Sequence, residues 1–144
     1  MATNINITNL PTGYQSIITN GRHAILGDEP IKSKGTDLGF SPTDFILSGL
    51  AMCKVATVRF IARKHKLDHL IRDVKADLSM QVARAKDGKL TTTVTVAMLI
   101  EGDVTEEQKA KMIKEADACY VHRMIEGDWN IQSAVELTTP IAED

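Results

Sequence analysis

Over the first part of the chain the side chains alternate in short pieces. These are Ile5 and Ile7, then Tyr14, Ser16 and Ile18, then His23 and Ile25, with turn signals at Pro11-Thr12-Gly13 and Asn20-Gly21 between them. Pieces this short, with Asn-Gly at a junction, predict an antiparallel three-stranded meander. The stretch from Gly27 to Gly39 carries Asp28-Glu29-Pro30 and Gly35, too many breakers for a regular element, and predicts a surface loop. Ser41-Pro42-Thr43-Asp44 then marks a helix start: Ser41 can cap, Pro42 suits the first helical position, and Asp44 stands where a capping-box acid reaches back.

The helix this starts runs from about 42 to about 65 and is apolar almost all round. Phe45, Ile46, Leu47, Leu50, Met52, Val55, Val58, Phe60 and Ile61 leave a thin polar face, chiefly Lys54 and Arg59, and such a helix is expected to be buried on most sides. One small sheet cannot cover that much surface, so a second layer from a homodimer partner is expected. Strands are predicted at about 71–84 and 90–101, joined by a hairpin at Lys86-Asp87-Gly88-Lys89. Thr105-Glu106-Glu107-Gln108 is a second capping box. It opens a helix in which Ala110, Ile113, Ala116 and Cys119 recur every three residues, so that Cys119 falls near a helix end beside the apolar face. A short helix around 120–126 and a last strand around 129–138 complete a β-β-β-α-β-β-α-(α)-β order, read as one domain over 1–144.

Composition narrows the function classes. With 43% hydrophobic and 25% charged residues the chain is an ordinary globular one. Seventeen basic against nineteen acidic residues, a net charge of −2 and no long run of either sign give no basic surface for nucleic acid. The start Met-Ala-Thr-Asn-Ile-Asn-Ile lacks a secretory pattern and no run approaches bilayer length, so a cytoplasmic protein with no membrane partner is expected. In that compartment the two cysteines, Cys53 and Cys119, are open to three readings: buried packing groups, metal ligands, or a transient redox pair.

Each candidate has a plain alternative. Cys53 inside an apolar helix can be a small core hydrophobe, and its neighbour Lys54, about 100° around the helix, can face solvent or a partner. Cys119-x-x-His122 with Cys53 and His23 or His65 makes only a thin metal set, so neither metal nor cofactor is expected. Arg22 can be a strand-edge residue or a cation that stabilises a thiolate, and Asp44 a cap or the carboxylate that orients that arginine. Trp129 reads as a core or interface anchor.

Taken together, Gly21-Arg22-His23-Ala24-Ile25-Leu26-Gly27-Asp28-Glu29-Pro30, the Gly35-x-Asp37-x-Gly39 loop, Ser41-Pro42 through Cys53, and Ala116-Asp117-Ala118-Cys119-x-Val121-His122-Arg123 resemble the OsmC-like family, which includes the organic hydroperoxide resistance proteins. The resemblance implies an α+β fold in which strongly curved antiparallel sheets pack around a long buried central helix in an intertwined homodimer, with active sites at the subunit interface. It further implies a thiol peroxidase for organic hydroperoxides or hydrogen peroxide. Cys53 resembles the peroxidatic cysteine, Cys119 the resolving one and Arg22 the supporting cation, and an external dithiol would be the reductant. Thr43 stands where the hydroperoxide enzymes have glutamate, with Asp44 a shorter substitute one position on, and Tyr120 stands where the family has proline. These departures point to the OsmC-like branch, in which a divergent small-ligand or thiol-binding protein using the same interface pocket is the alternative.

Overall fold

A computed structural model of the chain describes residues 2–138. They form two compact units, the first drawn from residues 2–45 with 129–138, the second Ile46–Asp128.

In the first unit, β1 (Asn6–Asn9), β2 (Ser16–Thr19) and β3 (Ala24–Gly27) make the expected meander in the order β1-β2-β3, with Ile7 opposite Ile18 and Ile18 opposite Ile25. Gly13 and Gly21 sit at the two turns with φ of 52° and 91°, a region that costs a side chain strain and glycine nothing. The breaker-rich loop is ordered by one carboxylate. Asp28 is buried, and it accepts from the Thr36 hydroxyl and from the backbone N–H groups of Glu29, Thr36 and Leu38. The Thr36 hydroxyl bond leads the effects that hold the Asp28 carboxyl below its ordinary value, with the three backbone donors adding and burial opposing. A carboxylate with a depressed folded pKa stabilises fully above its unfolded pKa of about 3.9 and loses that contribution as pH falls through the folded value. Asp28→Asn is therefore expected to lower the Tm at pH 7, with the gap to wild type closing on acidification below pH 4; a constant gap in a pH series of melts would contradict it.

The cap of α1 (Pro42–Lys64) is reciprocal as expected: Ser41 N–H donates to Asp44 Oδ2 at 2.9 Å and Asp44 N–H to Ser41 Oγ at 3.3 Å. The helix ends in a Schellman motif, Leu67 N–H to Ala62 C=O and Lys66 N–H to Arg63 C=O, with Lys66 in the left-handed position at φ 59° where glycine is usual.

In the second unit, β4 (Ile71–Arg84) and β5 (Leu90–Gly102) form one long antiparallel hairpin, with a bulge between Ile71 and Asp73. Gly88, at φ 86°, and the Asp87 carboxylate close its turn. The core gathers at the root of this hairpin. There Val58, Ile61 and Ala62 of α1 meet Ile71, Ile100 and, from α2 (Glu106–Glu115), Met112, with Ala116 beyond it. The Thr105–Gln108 capping box starts α2. Arg59 ties helix to hairpin by donating to Asp68 Oδ1 and to the carbonyls of Ile71 and Arg72.

Four expectations are corrected. The buried side of α1 is the stripe Leu50, Lys54, Val58, Ile61 and Ala62, so Lys54 belongs to the packed face and not to a polar one. The hairpin and α2 cover only that side, and Ile46, Met52 and Phe60 stand 58%, 73% and 66% exposed, so within one chain the helix is not buried on most sides. By length and composition α1 is long and apolar enough to cross a bilayer, contrary to the reading that no run approaches this. Its Lys54, however, sits mid-helix on the stripe packed in the core of this unit. Finally, residues 129–138 form no strand: Ile131, Val135 and Leu137 alternate but are largely exposed, and Trp129 is 58% exposed and not a core residue.

Candidate functional site

α2 does not continue to Cys119. It stops at Glu115, a single 3-10 turn Ala116–Ala118 follows, and Cys119, in extended backbone, becomes the N-cap of α3 (Tyr120–Glu126). The cysteine thus replaces the usual Ser or Asp cap: its Sγ accepts from His122 N–H at 3.3 Å. The same turn reaches α1, where Cys53 Sγ accepts from Val121 N–H at 3.4 Å. Two free thiols far apart in sequence therefore share one turn of backbone donors.

The two sulfurs have unequal surroundings. Cys119 is 1% exposed and burial pushes its thiol up, with the neighbouring Cys53 pushing the same way while the His122 N–H and the Lys54 charge oppose. Cys119 is thus held as a thiol at neutral pH, and Cys53, half-buried, is the more accessible sulfur. A cleft of about 580 Å³ reaches the Cys119 turn, lined by Phe60, Ile61, Tyr120 and the basic Lys64, His65 and Lys111.

Sequence reasoning missed the charged group of this site. Lys54 is buried to 1% exposure, and its Nζ lies 2.9 Å from His122 Nδ1 and 3.3 Å from Asp117 Oδ1. An ammonium has no acceptor, so Nδ1 accepts and the imidazole hydrogen sits on Nε2, 3.0 Å from Glu126 Oε1. The signal was present: a lone lysine inside an apolar stripe must be paired if the stripe is packed. Both ring nitrogens of His122 are thereby engaged, which removes it from the Cys119-x-x-His122 metal set, and among the described residues no three His, Cys, Asp or Glu side chains gather to hold a metal.

Arg22 and Asp44 belong to the first unit. Arg22 is exposed after the Asn20-Gly21 turn, where its backbone N–H donates to Asn20 Oδ1, and its guanidinium makes no ion pair among the described residues. Asp44 is exposed and bonded to Ser41, and these bonds, backbone first, lower its pKa. The Thr43 hydroxyl lies 3.3 Å from the Ser41 hydroxyl.

A family model described as OsmC-like protein matches residues 35–134. No protein with a curated description matches the sequence. Among solved structures the chain is similar to an osmotic stress induced and detoxification response protein from Psychrobacter arcticus, with a TM-score of 0.70, 21% identity, and 88% of this chain and 89% of that one covered. It is similar to an OsmC-like protein of unknown function from Vibrio cholerae at TM-score 0.71 and 14% identity, covering 88% of this chain and 94% of the other. It is also similar to the organic hydroperoxide resistance protein OhrB of Bacillus subtilis at TM-score 0.65 and 15% identity, covering 89% and 93%. At these identities the likeness is one of fold, and it is the α+β OsmC-like fold expected from the sequence. With the matched segment spanning more than half of its length, the chain belongs to the OsmC-like protein family.

Proposed function

We propose that this protein is a homodimeric thiol peroxidase that reduces organic hydroperoxides, and hydrogen peroxide less well, in the cytoplasm. The observation that carries this is the meeting of two free thiols at one turn, the accessible Cys53 against the buried Cys119. The organic hydroperoxide resistance names among proteins of the same fold support it.

In the first step the Cys53 thiolate attacks one peroxide oxygen. A sulfur–oxygen bond forms, the O–O bond breaks, and the alkoxide leaves and takes a proton, so that sulfur is oxidised by two electrons and the peroxide reduced by two. In the second, Cys119 attacks the sulfur of the sulfenic acid, forming the disulfide as its proton leaves with the hydroxide as water. An external dithiol then reduces the disulfide and is itself oxidised. Apolar side chains near Cys53, such as Met52, would favour alkyl peroxides, since burying a methylene is worth about 0.8 kcal/mol. Peroxide consumption with dithiothreitol tests the proposal: cumene hydroperoxide should be consumed faster than hydrogen peroxide. Cysteines that both remain reduced after a peroxide pulse would turn the reading to a non-catalytic ligand- or thiol-binding protein.

The family resemblance assigns the supporting cation to Arg22, and Asp44, which departs from the family pattern, is the candidate carboxylate that orients it. Arg22→Ala is expected to slow alkylation of Cys53 at neutral pH by about tenfold, the effect of removing a cation that supports the thiolate. Arg22→Lys should restore part of that rate, since a point charge lacks the planar fork. Asp44→Asn should act more weakly in the same direction. Iodoacetamide rates on a Cys119→Ser background measure this, and an unchanged rate in Arg22→Ala removes Arg22 from the site.

A further inference from the structure

Among the described residues only two charged side chains are buried, Asp28 and Lys54, and Asp28 is consumed by its own loop. Lys54 is different, because both its partners lie on another segment, the one that carries Cys119. Asp117 precedes Cys119 by two residues and His122 follows it by three, so the two bonds straddle the second cysteine. Their common origin is the residue next to Cys53 in α1. His122 is in turn braced by Glu126.

We infer that Lys54 is the positioning residue for disulfide closure, its buried ammonium clamping both flanks of the Cys119 turn so that the second sulfur stays aligned behind the first. This rests on the reading of Cys53 and Cys119 as a redox pair. Closure requires Cys119 to approach the Cys53 sulfur opposite the departing oxygen, which is a demand on orientation and is lost with small displacements. The charge of Lys54 also opposes the burial that keeps Cys119 protonated, at the moment this thiol gives up its proton. When closure is slow, the sulfenic acid meets a second peroxide, takes its oxygen to become a sulfinic acid, and releases a second alcohol.

Lys54→Met keeps the length and volume of the stem and removes the charge. A rapid-quench series with one equivalent of cumene hydroperoxide, read by mass spectrometry, gives the rates of Cys53 oxidation and of disulfide formation. Their ratio is expected to shift by about tenfold against closure, with sulfenic acid trapped by dimedone and sulfinic acid appearing at lower peroxide than in wild type. Lys54→Arg should recover part of the ratio, whereas a purely structural lysine would change the Tm and leave the ratio unmoved. Diamide provides an arm independent of peroxide chemistry: it adds to Cys53, Cys119 displaces the hydrazine, and the same closure is read. Slow closure with diamide in Lys54→Met, beside a wild type that ignores peroxide, upholds the role of Lys54 and overturns the peroxidase reading alone. Closure at the wild-type rate with diamide overturns the role of Lys54. Should Lys54→Met not fold, Asp117→Ala, at a mostly exposed position, carries the same comparison with a smaller expected shift, and an unchanged ratio there overturns the inference.

Discussion

Cys53→Ser is expected to bring peroxide consumption down by about three orders of magnitude or more, to the background of dithiothreitol alone, because a nucleophile that forms the covalent intermediate cannot be replaced by its neighbours. Serine conserves the size of the side chain and the hydrogen bond from Val121 N–H, so the fold should be retained. Cys119→Ser separates the steps. It should consume about one equivalent of peroxide per subunit, at a rate near that of wild type, and then stop, leaving a sulfenic acid on Cys53 that dimedone captures. Two properties of the site motivate this order of events: Cys119 is 1% exposed and its thiol is pushed up by burial, whereas Cys53 is only half-buried. Intact-mass spectra after one equivalent of peroxide decide it. A Cys119→Ser protein that takes up no oxygen, beside a Cys53→Ser protein that does, would exchange the two roles.

The parts of the fold that local chemistry controls were legible in the sequence. Ser41-Pro42-x-Asp44 and Thr105-x-x-Gln108 both form the reciprocal caps their spacing predicts, since the partners are three residues apart and need nothing from the rest of the chain. The Lys86–Lys89 turn and the β-branched run after it gave the long hairpin to within a residue. Residues 129–138 show the limit of pattern reasoning. Their alternation suits a strand, but a strand exists only where an edge offers hydrogen bonds, and alternation does not supply the edge.

The site was legible in its sulfurs and not in its charge. Family resemblance brought Cys53 and Cys119 together, and both now accept hydrogen bonds from the first turn of α3. Lys54 was misread because a helix that is apolar nearly all round offers no moment from which to choose the packed side. Its lone charges then read as the solvent face. Tertiary structure chose otherwise, since Asp117 and His122 on a distant segment supply what a buried ammonium requires. Cys119 was read as the end of a helix face, whereas the break at Glu115 turns it into a cap, a change of role that moves its sulfur from packing to accepting.

The uncovered side of α1 leads to the last expectation. Ile46, Gly49, Met52, Ala56 and Phe60 recur at intervals of three and four and are all exposed, so they lie along one face, on the side of α1 away from the core stripe through Val58 and Ala62. An apolar stripe of this length fits a second copy of the same helix, and the low bulk of Gly49, with nothing near its Cβ direction, allows close approach. Met52→Glu with Phe60→Glu should therefore dissociate the proposed homodimer. Fully burying a Met or Phe side chain is worth about 1.5–3 kcal/mol, and a two-fold interface contains each position twice. The pair of changes thus removes at least about 6 kcal/mol before any cost of burying carboxylates, which raises the dissociation constant by about four orders of magnitude or more. Light scattering at about 10 µM should give twice the chain mass for the wild type and the chain mass for the variant, a contrast that four orders of magnitude in affinity makes large. Retained secondary structure in the variant's circular dichroism would show that association, not folding, was lost. A wild type that is monomeric, or a variant that still weighs two chains, would remove this face from the interface.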